Sequence, residues 1–198
     1  ALELTSLPTY VMVAIGRDRV TAQESAVKYF FLGALAAALF LYGFTLIYGA
    51  TGLTEFGAIQ AYVTDNGTTP LFITGVVVAI VGIAFKIAAV PMHFYAADVY
   101  EGAAVPITAF LAFVPKTAGF VSIILLLGLV GDPLPDQVTW LIWLMAAATM
   151  TVGNVLGLMQ NNVKRMLAYG SIAQSGYMLV ALVGGTTLQE SDSLPNSA

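Results

Sequence analysis

Three lysines lie in stretches of sequence that are otherwise apolar: Lys28, Lys86 and Lys116. They are three of only seven basic residues in a chain that is 59% hydrophobic. A charge at membrane depth costs from about 2.5 to more than 10 kcal/mol, so such residues are usually paired and usually belong to ion or proton pathways. The chemistry that these residues indicate is therefore the movement of protons or ions through a membrane.

Lys116 is the clearest of the three. It lies about ten residues into its apolar stretch, or ~15 Å along a helix, which is near the middle of a bilayer. A lysine stem hardly reaches either surface from that depth, so the sequence favours a functional role over snorkelling. Pro115 precedes it and removes one backbone hydrogen bond, which is expected to loosen the helix at the charge.

Lys86 and His93 are seven residues apart, which places them on one face if the helix continues through Pro91 as a kink. Lys86 is predicted to be a pathway residue. A histidine titrates near neutral pH, so His93, two turns from a buried lysine, is a candidate relay, although a lone histidine is more often structural.

Glu3 and Lys28 are two further candidate members of the set. Glu3 lies about 14 residues, or ~21 Å, from Arg17, so its carboxylate is predicted to lie deep in a helix and to need a lysine partner. The alternative is that the helix ends near Ala1. Lys28 lies two turns after Thr21, where a functional role and simple snorkelling are both open.

The remaining polar residues have plainer interpretations. Asp98 and Glu101 are expected to be solvated or to cap helices rather than to be catalytic. The polar face of the last two helices is expected to join helices rather than to line a hydrated path; it comprises Asn154, Gln160, Asn161, Asn162, Ser171, Gln174 and Ser175. With no cysteine and one histidine, no metal site or cofactor is expected, and no basic patch indicates nucleic acid.

The predicted architecture is all-α, a polytopic transmembrane helix bundle of about six spans whose third span is broken or kinked. A capping box of Thr21 and Glu24 is predicted before the second span, and Thr69-Pro70 is predicted to start the third. Residues 1–185 form the transmembrane module, and residues 186–198 a polar tail or truncated loop. The six predicted spans are 1–15, 26–50, 70–91, 105–131, 138–159 and 166–185.

Charge places the loops relative to the membrane. The loops at 16–20 and 160–165 carry Arg17, Arg19, Lys164 and Arg165, whereas the loops of the other side carry acidic residues and no lysine or arginine. The positive-inside rule makes the first two loops cytoplasmic, which predicts a multi-pass protein of the cell's inner (plasma) membrane.

At these residues the sequence resembles a known family. The stretches that carry the resemblance are LEL at 2–4, KYF at 28–30, FKIAAVPMH at 85–93, DVYEGA at 98–103, PITAF at 106–110 and NVKRMLAYGSIA at 162–173. Together they look like subunit N of the proton-pumping NADH:quinone oxidoreductase, respiratory complex I, one of the antiporter-like membrane subunits. The DVYEGA stretch is the most discriminating.

The resemblance implies an antiporter-like fold of roughly fourteen helices, of which this chain is a central fragment. It implies that Glu3 partners Lys86, that Lys116 passes protons onward, and that Lys28 and His93 extend this polar axis. It implies no redox centre in this chain, NADH and quinone being used by the whole complex. The implied partners are other membrane subunits of the complex, the lipid bilayer and protons.

Two prolines, Pro8 and Pro115, depart from the family pattern. Two other interpretations stay open: a subunit of a multisubunit cation/proton antiporter, which DVYEGA argues against, and a passive scaffold, which three intramembrane lysines fit poorly.

Overall fold

The computed structural model describes the backbone of residues 2–15, 20–131 and 133–192, and the side chains of 5–15, 20–131 and 133–184. All regular structure in these residues is helical, as predicted. The eight helices are α1 Leu2–Ile15, α2 Val20–Thr51, α3 Phe56–Asn66, α4 Pro70–Ile87, α5 Tyr95–Gly102, α6 Val105–Val130, α7 Asp136–Leu158 and α8 Val163–Asp192.

In the described part of the chain, five helices are long and apolar enough to cross a membrane: α2, α4, α6, α7 and α8. Within α1, residues 5–15 form a shorter apolar segment, which corresponds to the first predicted span. Large apolar side chains such as Phe31, Trp140 and Leu144 are exposed on the helix surfaces. Lipid is the solvent that such faces require, so the helices form a membrane bundle.

The predicted helix starts have mixed outcomes. Thr69 caps α4 as predicted, because its side chain accepts a hydrogen bond from the Phe72 amide and Pro70 takes the first helical position. The capping box at Thr21 is wrong, since α2 already begins at Val20. The Thr21 carbonyl instead accepts a hydrogen bond from Ser25 inside the helix. The short helix α3 was not predicted.

Small residues set the helix spacing. A Cβ on Gly43 would lie 2.6 Å from the Ala79 amide nitrogen, and one on Gly82 would lie 2.6 Å from that of Phe40, so α2 and α4 touch through their backbones. Gly153 does the same for α7 against α8, where a Cβ would lie 2.6 Å from the Ala173 nitrogen. Packing of this kind replaces the hydrophobic effect as the main attraction between helices in lipid.

The third predicted span is broken, but earlier than expected. α4 ends at Ile87, where Ala88 takes a left-handed conformation with φ 54° and ψ 38°. The amides of Ala88 and Ala89 bond back to the carbonyls of Phe85 and Ala84, the pattern of a Schellman helix end. Residues 88–94 then form turns before α5 begins at Tyr95.

Candidate functional site

The side chain of Lys116 is buried in a cage of oxygen atoms. It lies in the middle of α6, is 8% exposed, and points at α8. Its Nζ donates to the Ser171 carbonyl at 2.7 Å, to Ser171 Oγ at 2.7 Å and to Ser175 Oγ at 3.1 Å. An ammonium has three N–H donors, so these three oxygens match the charged form of the lysine.

Ser175 connects this cage to the end of α4. Its hydroxyl donates to the Ile87 carbonyl at 2.7 Å, and the side chain is fully buried. The Ile87 carbonyl is one of the last carbonyls of α4, which have no partner inside their own helix. The contacts of Ser175 therefore run from Lys116 to the residue that follows Lys86.

Lys86 lies in the last turn of α4, half-buried, and its Nζ donates to Ser6 Oγ of α1 at 2.5 Å. It lines a cavity of about 400 Å³ between α1, α2, α4 and α6, whose polar lining includes Thr9, Tyr29 and Ser122. α4 and α6 meet here closely, because a Cβ on Gly119 would lie 3.0 Å from Lys86 Cβ. Gly119 is one turn after Lys116, so the two lysines flank one helix contact.

His93 does not share a helix face with Lys86, so that prediction is wrong. The helix ends at Ile87, and the intervening residues turn, which removes the seven-residue helical spacing. His93 is 5% exposed and packs beside the Phe94 ring, with 4.3 Å between the ring centroids.

Aromatic rings hold the break from the α2 side. Tyr29 stacks on Phe85 and on Tyr95, with ring centroids 5.6 Å and 4.9 Å apart. The Tyr95 hydroxyl donates to the Phe85 carbonyl at 2.8 Å. On the other side, Thr149 of α7 accepts a hydrogen bond from the Val90 amide at 3.0 Å. The break is therefore fixed by side chains from other helices.

Lys28 belongs to an ion-pair network at one end of the bundle. Its Nζ lies 2.8 Å from Asp98 Oδ2 and 2.7 Å from Glu24 Oε1, and its side chain is 46% exposed. Arg165 of α8 contacts Asp98 Oδ1 at 2.6 Å and Glu101 Oε2 at 2.9 Å. Asp98 and Glu101 are partly exposed, in keeping with the expected solvation, but they are also ion-paired and so tie α5 to α2 and α8.

Asp98 is the centre of this network and lies outside the five candidate spans. Partial burial acts to raise the pKa of its carboxyl, but the hydrogen bonds from Lys28 and Arg165 outweigh burial and hold the pKa below its ordinary value. Asp98 therefore remains ionised.

Two further predictions meet the structure differently. The side chain of Glu3 lies outside the described residues, as do Arg17 and Arg19, so the predicted pairing of Glu3 with Lys86 stays a prediction.

On the polar face of the last helices, Ser171 and Ser175 are the partners of Lys116 rather than only joints between helices. Their spacing of four residues on one helix face was the available signal. No cluster suited to a metal ion occurs among the residues searched, which are the described ones.

Comparison with known proteins identifies the family of this chain. The family described as "NADH:quinone oxidoreductase/Mrp antiporter, TM" matches residues 1–194. A relative named NADH-quinone oxidoreductase subunit N, from Trichlorobacter lovleyi, is 44% identical over 187 residues, which cover 93% of this chain and 38% of that protein. The chain thus spans little more than a third of that relative's length.

Solved structures show the same fold. A chain of respiratory complex I from Thermus thermophilus superposes with a TM-score of 0.78 at 40% identity, covering 91% of this chain and 38% of that one. A chain of the Mrp complex from Dietzia sp. DQ12-45-1b gives a TM-score of 0.82 at 23% identity, covering 92% and 34%, which is a likeness of fold alone. The chain belongs to the NADH:quinone oxidoreductase/Mrp antiporter family of transmembrane subunits.

Proposed function

We propose that this chain is the proton-conducting part of a subunit N of NADH:quinone oxidoreductase, respiratory complex I. The observation that carries the proposal is the burial of Lys116 among three oxygen acceptors in the middle of a spanning helix. Intramembrane ionisable groups of this kind mark proton relays. The level of identity between this chain and a relative named as subunit N favours subunit N over the more distantly related antiporter subunits.

In the proposed mechanism, NADH oxidation and quinone reduction take place in other subunits of the complex, and this chain holds only proton-carrying groups. Glu3 stabilises the charge of Lys86, and loss of that pairing drives the proton towards Lys116, because a buried cation without a counter-charge favours its neutral form. The cavity beside Lys86 offers room for water on this route. His93, beside the break, and Lys28, half-exposed at the end of the bundle, extend the path outward.

The ion-pair end of the bundle is proposed to face the cytoplasm of an inner-membrane protein, because it carries Lys164 and Arg165. A cysteine introduced at Asn161, beside these residues, is then expected to react with reagents added from that side only.

The proposal is tested by substituting Lys116 in the full-length subunit within the assembled complex. Lys116→Met should leave assembly intact, since an apolar side chain suits the buried site. It should lower redox-coupled proton pumping roughly a hundredfold, the lower end of what a positioned proton carrier contributes. Lys116→Arg should be as poor, because a guanidinium does not release its proton.

Thr117→Val is the matched control, because Thr117 is the next residue of α6, is exposed, and bonds only back to the Phe113 carbonyl in the described structure. Pumping is measured in inverted membrane vesicles as acidification per NADH oxidised. Pumping by the Lys116→Met complex at the wild-type rate would contradict the proposal.

A cation/proton antiporter subunit is the second candidate, favoured by the shared fold of the Mrp chain. The two differ in their driving force: the antiporter moves protons in vesicles on addition of a sodium gradient without NADH, and the complex I subunit does not.

A further inference from the structure

The hydrogen-bond donors and acceptors around Lys116 are balanced for one charge state. The ammonium supplies three N–H groups to three oxygens. Ser175 accepts one of these bonds, and its own single proton goes to the Ile87 carbonyl at 2.7 Å. The other oxygen within reach of that proton is the Ser171 carbonyl, at 3.2 Å.

Loss of a proton from Lys116 upsets this balance. A neutral amine has two N–H donors and one lone pair. One of the three oxygens therefore loses its donor, and the lone pair of the nitrogen requires a hydrogen-bond donor of its own. A backbone carbonyl cannot supply a proton, whereas a hydroxyl can rotate and donate. Ser171 and Ser175 are thus the groups able to adapt to the neutral lysine.

The two serines differ in what their rotation disturbs. Ser171 Oγ has a second contact with the Tyr100 hydroxyl at 3.5 Å, at the limit of a hydrogen bond. Rotation of the Ser175 hydroxyl instead takes the donor away from the Ile87 carbonyl, at the point where α4 breaks. That carbonyl is buried, so it cannot turn to bulk water for a replacement.

We propose that Ser175 is a positioning residue that couples the protonation of Lys116 to the broken end of α4, and through that end to Lys86. The inference rests on the proposed function, because it requires Lys116 to change its charge. While Lys116 is protonated, the Ser175 hydroxyl accepts a hydrogen bond from the ammonium and donates one to the Ile87 carbonyl at the end of α4. The charged lysine and this helix end therefore stabilise each other. Deprotonation places the lysine and the carbonyl in competition for one hydroxyl proton.

Substitution of Ser175 in the full-length subunit of the assembled complex tests this coupling. Ser175→Ala should slow coupled pumping roughly tenfold, the size expected for one hydrogen bond to a charged group. The alkaline side of its pH–rate profile should move to lower pH, because protonated Lys116 loses one of three acceptors. Lys86 on α4 and Tyr100 on α5 are the other titratable groups that the contacts above bring to this cluster.

Two further variants make the result specific. Ser175→Thr keeps the hydroxyl and should restore the wild-type pH profile. Thr151→Ala is the control, because Thr151 is exposed on α7 and its hydroxyl bonds only to the Ala147 carbonyl in the described structure.

The outcomes separate the two proposals. If Lys116→Met blocks pumping while Ser175→Ala keeps the wild-type rate and pH profile, the coupling role of Ser175 is overturned and the proposed function stands. A slower Ser175→Ala complex with an unshifted profile also overturns the coupling, since a merely structural serine would behave in that way. Wild-type pumping by Lys116→Met overturns the proposed function itself.

Discussion

Arg165 Nη1 lies 2.6 Å from Asp98 Oδ1, and this contact joins the first turn of α8 to the short helix that follows the break in α4. Lys28 contacts the other oxygen of the same carboxylate from α2. One side chain of the DVYEGA stretch therefore binds three helices together, which gives that stretch a structural role.

Replacing Asp98 by Asn should destabilise the protein by about 1–2 kcal/mol, because two cations lose their shared counter-charge in a partly exposed site. Thermal unfolding of the full-length protein in detergent measures the change. Glu24→Gln is the control: it removes only the exposed pair of Lys28 within α2, and should cost at most about 0.5 kcal/mol. Equal melting temperatures for both variants would contradict the network.

The lowered pKa of Asp98 gives this prediction a pH dependence. A carboxyl whose pKa is lowered by folding stabilises the folded state fully above its ordinary value of 3.8, and the contribution is lost as the pH falls below that value. The difference in stability between the wild type and Asp98→Asn should therefore be constant near neutral pH and shrink in acid.

The contact between α4 and α6 depends on Gly119. A Cβ there would lie 2.6 Å from Ile87 Cγ2 and 3.0 Å from Lys86 Cβ, so Gly119→Val should force the helices apart and cost about 1–3 kcal/mol. Gly128→Val in the same helix is the control, since nothing lies within 4 Å of that position. Melting temperatures in detergent compare the two, and equal losses would argue against a close contact.

Ala88 holds a backbone conformation that favours glycine. Ala88→Gly should be within about 0.5 kcal/mol of the wild type, because relief of the left-handed strain offsets the greater entropy of the unfolded chain. Ala84→Gly, at an equally buried alanine inside α4, should cost about 1 kcal/mol. Denaturation of both variants in detergent measures the change in the free energy of unfolding. An equal loss of stability at the two positions would contradict the left-handed helix end.

The sequence predicted the spanning helices well because long apolar runs leave few alternatives. It also predicted the start of α4 from Thr69-Pro70, a local signal. The end of α4 was misplaced because an alanine rather than a glycine takes the left-handed position. In the sequence, Pro91 is therefore the first residue of a helix-breaking type. The false pairing of Lys86 with His93 followed from that error.

The partners of Lys116 were harder to predict for another reason. Burial of the lysine was readable from the apolar residues around it, but its contacts with Ser171 and Ser175 cross 55 and 59 positions of sequence. Serines are common at helix contacts in membranes. Their pattern alone therefore does not distinguish a hydroxyl that joins two helices by a hydrogen bond from one that solvates a charge.

The break after Ile87 has a consequence for biosynthesis. The backbone groups around the break are bonded by the side chains of Tyr95, Thr149 and Ser175, which lie eight or more residues beyond Ile87. While the ribosome is still making α7, the Ile87 carbonyl lacks the hydroxyl that it bonds in the finished fold. The hydrogen bonds around the break are therefore complete only once α8 has been made and packed, and the same packing brings Ser171 and Ser175 to Lys116.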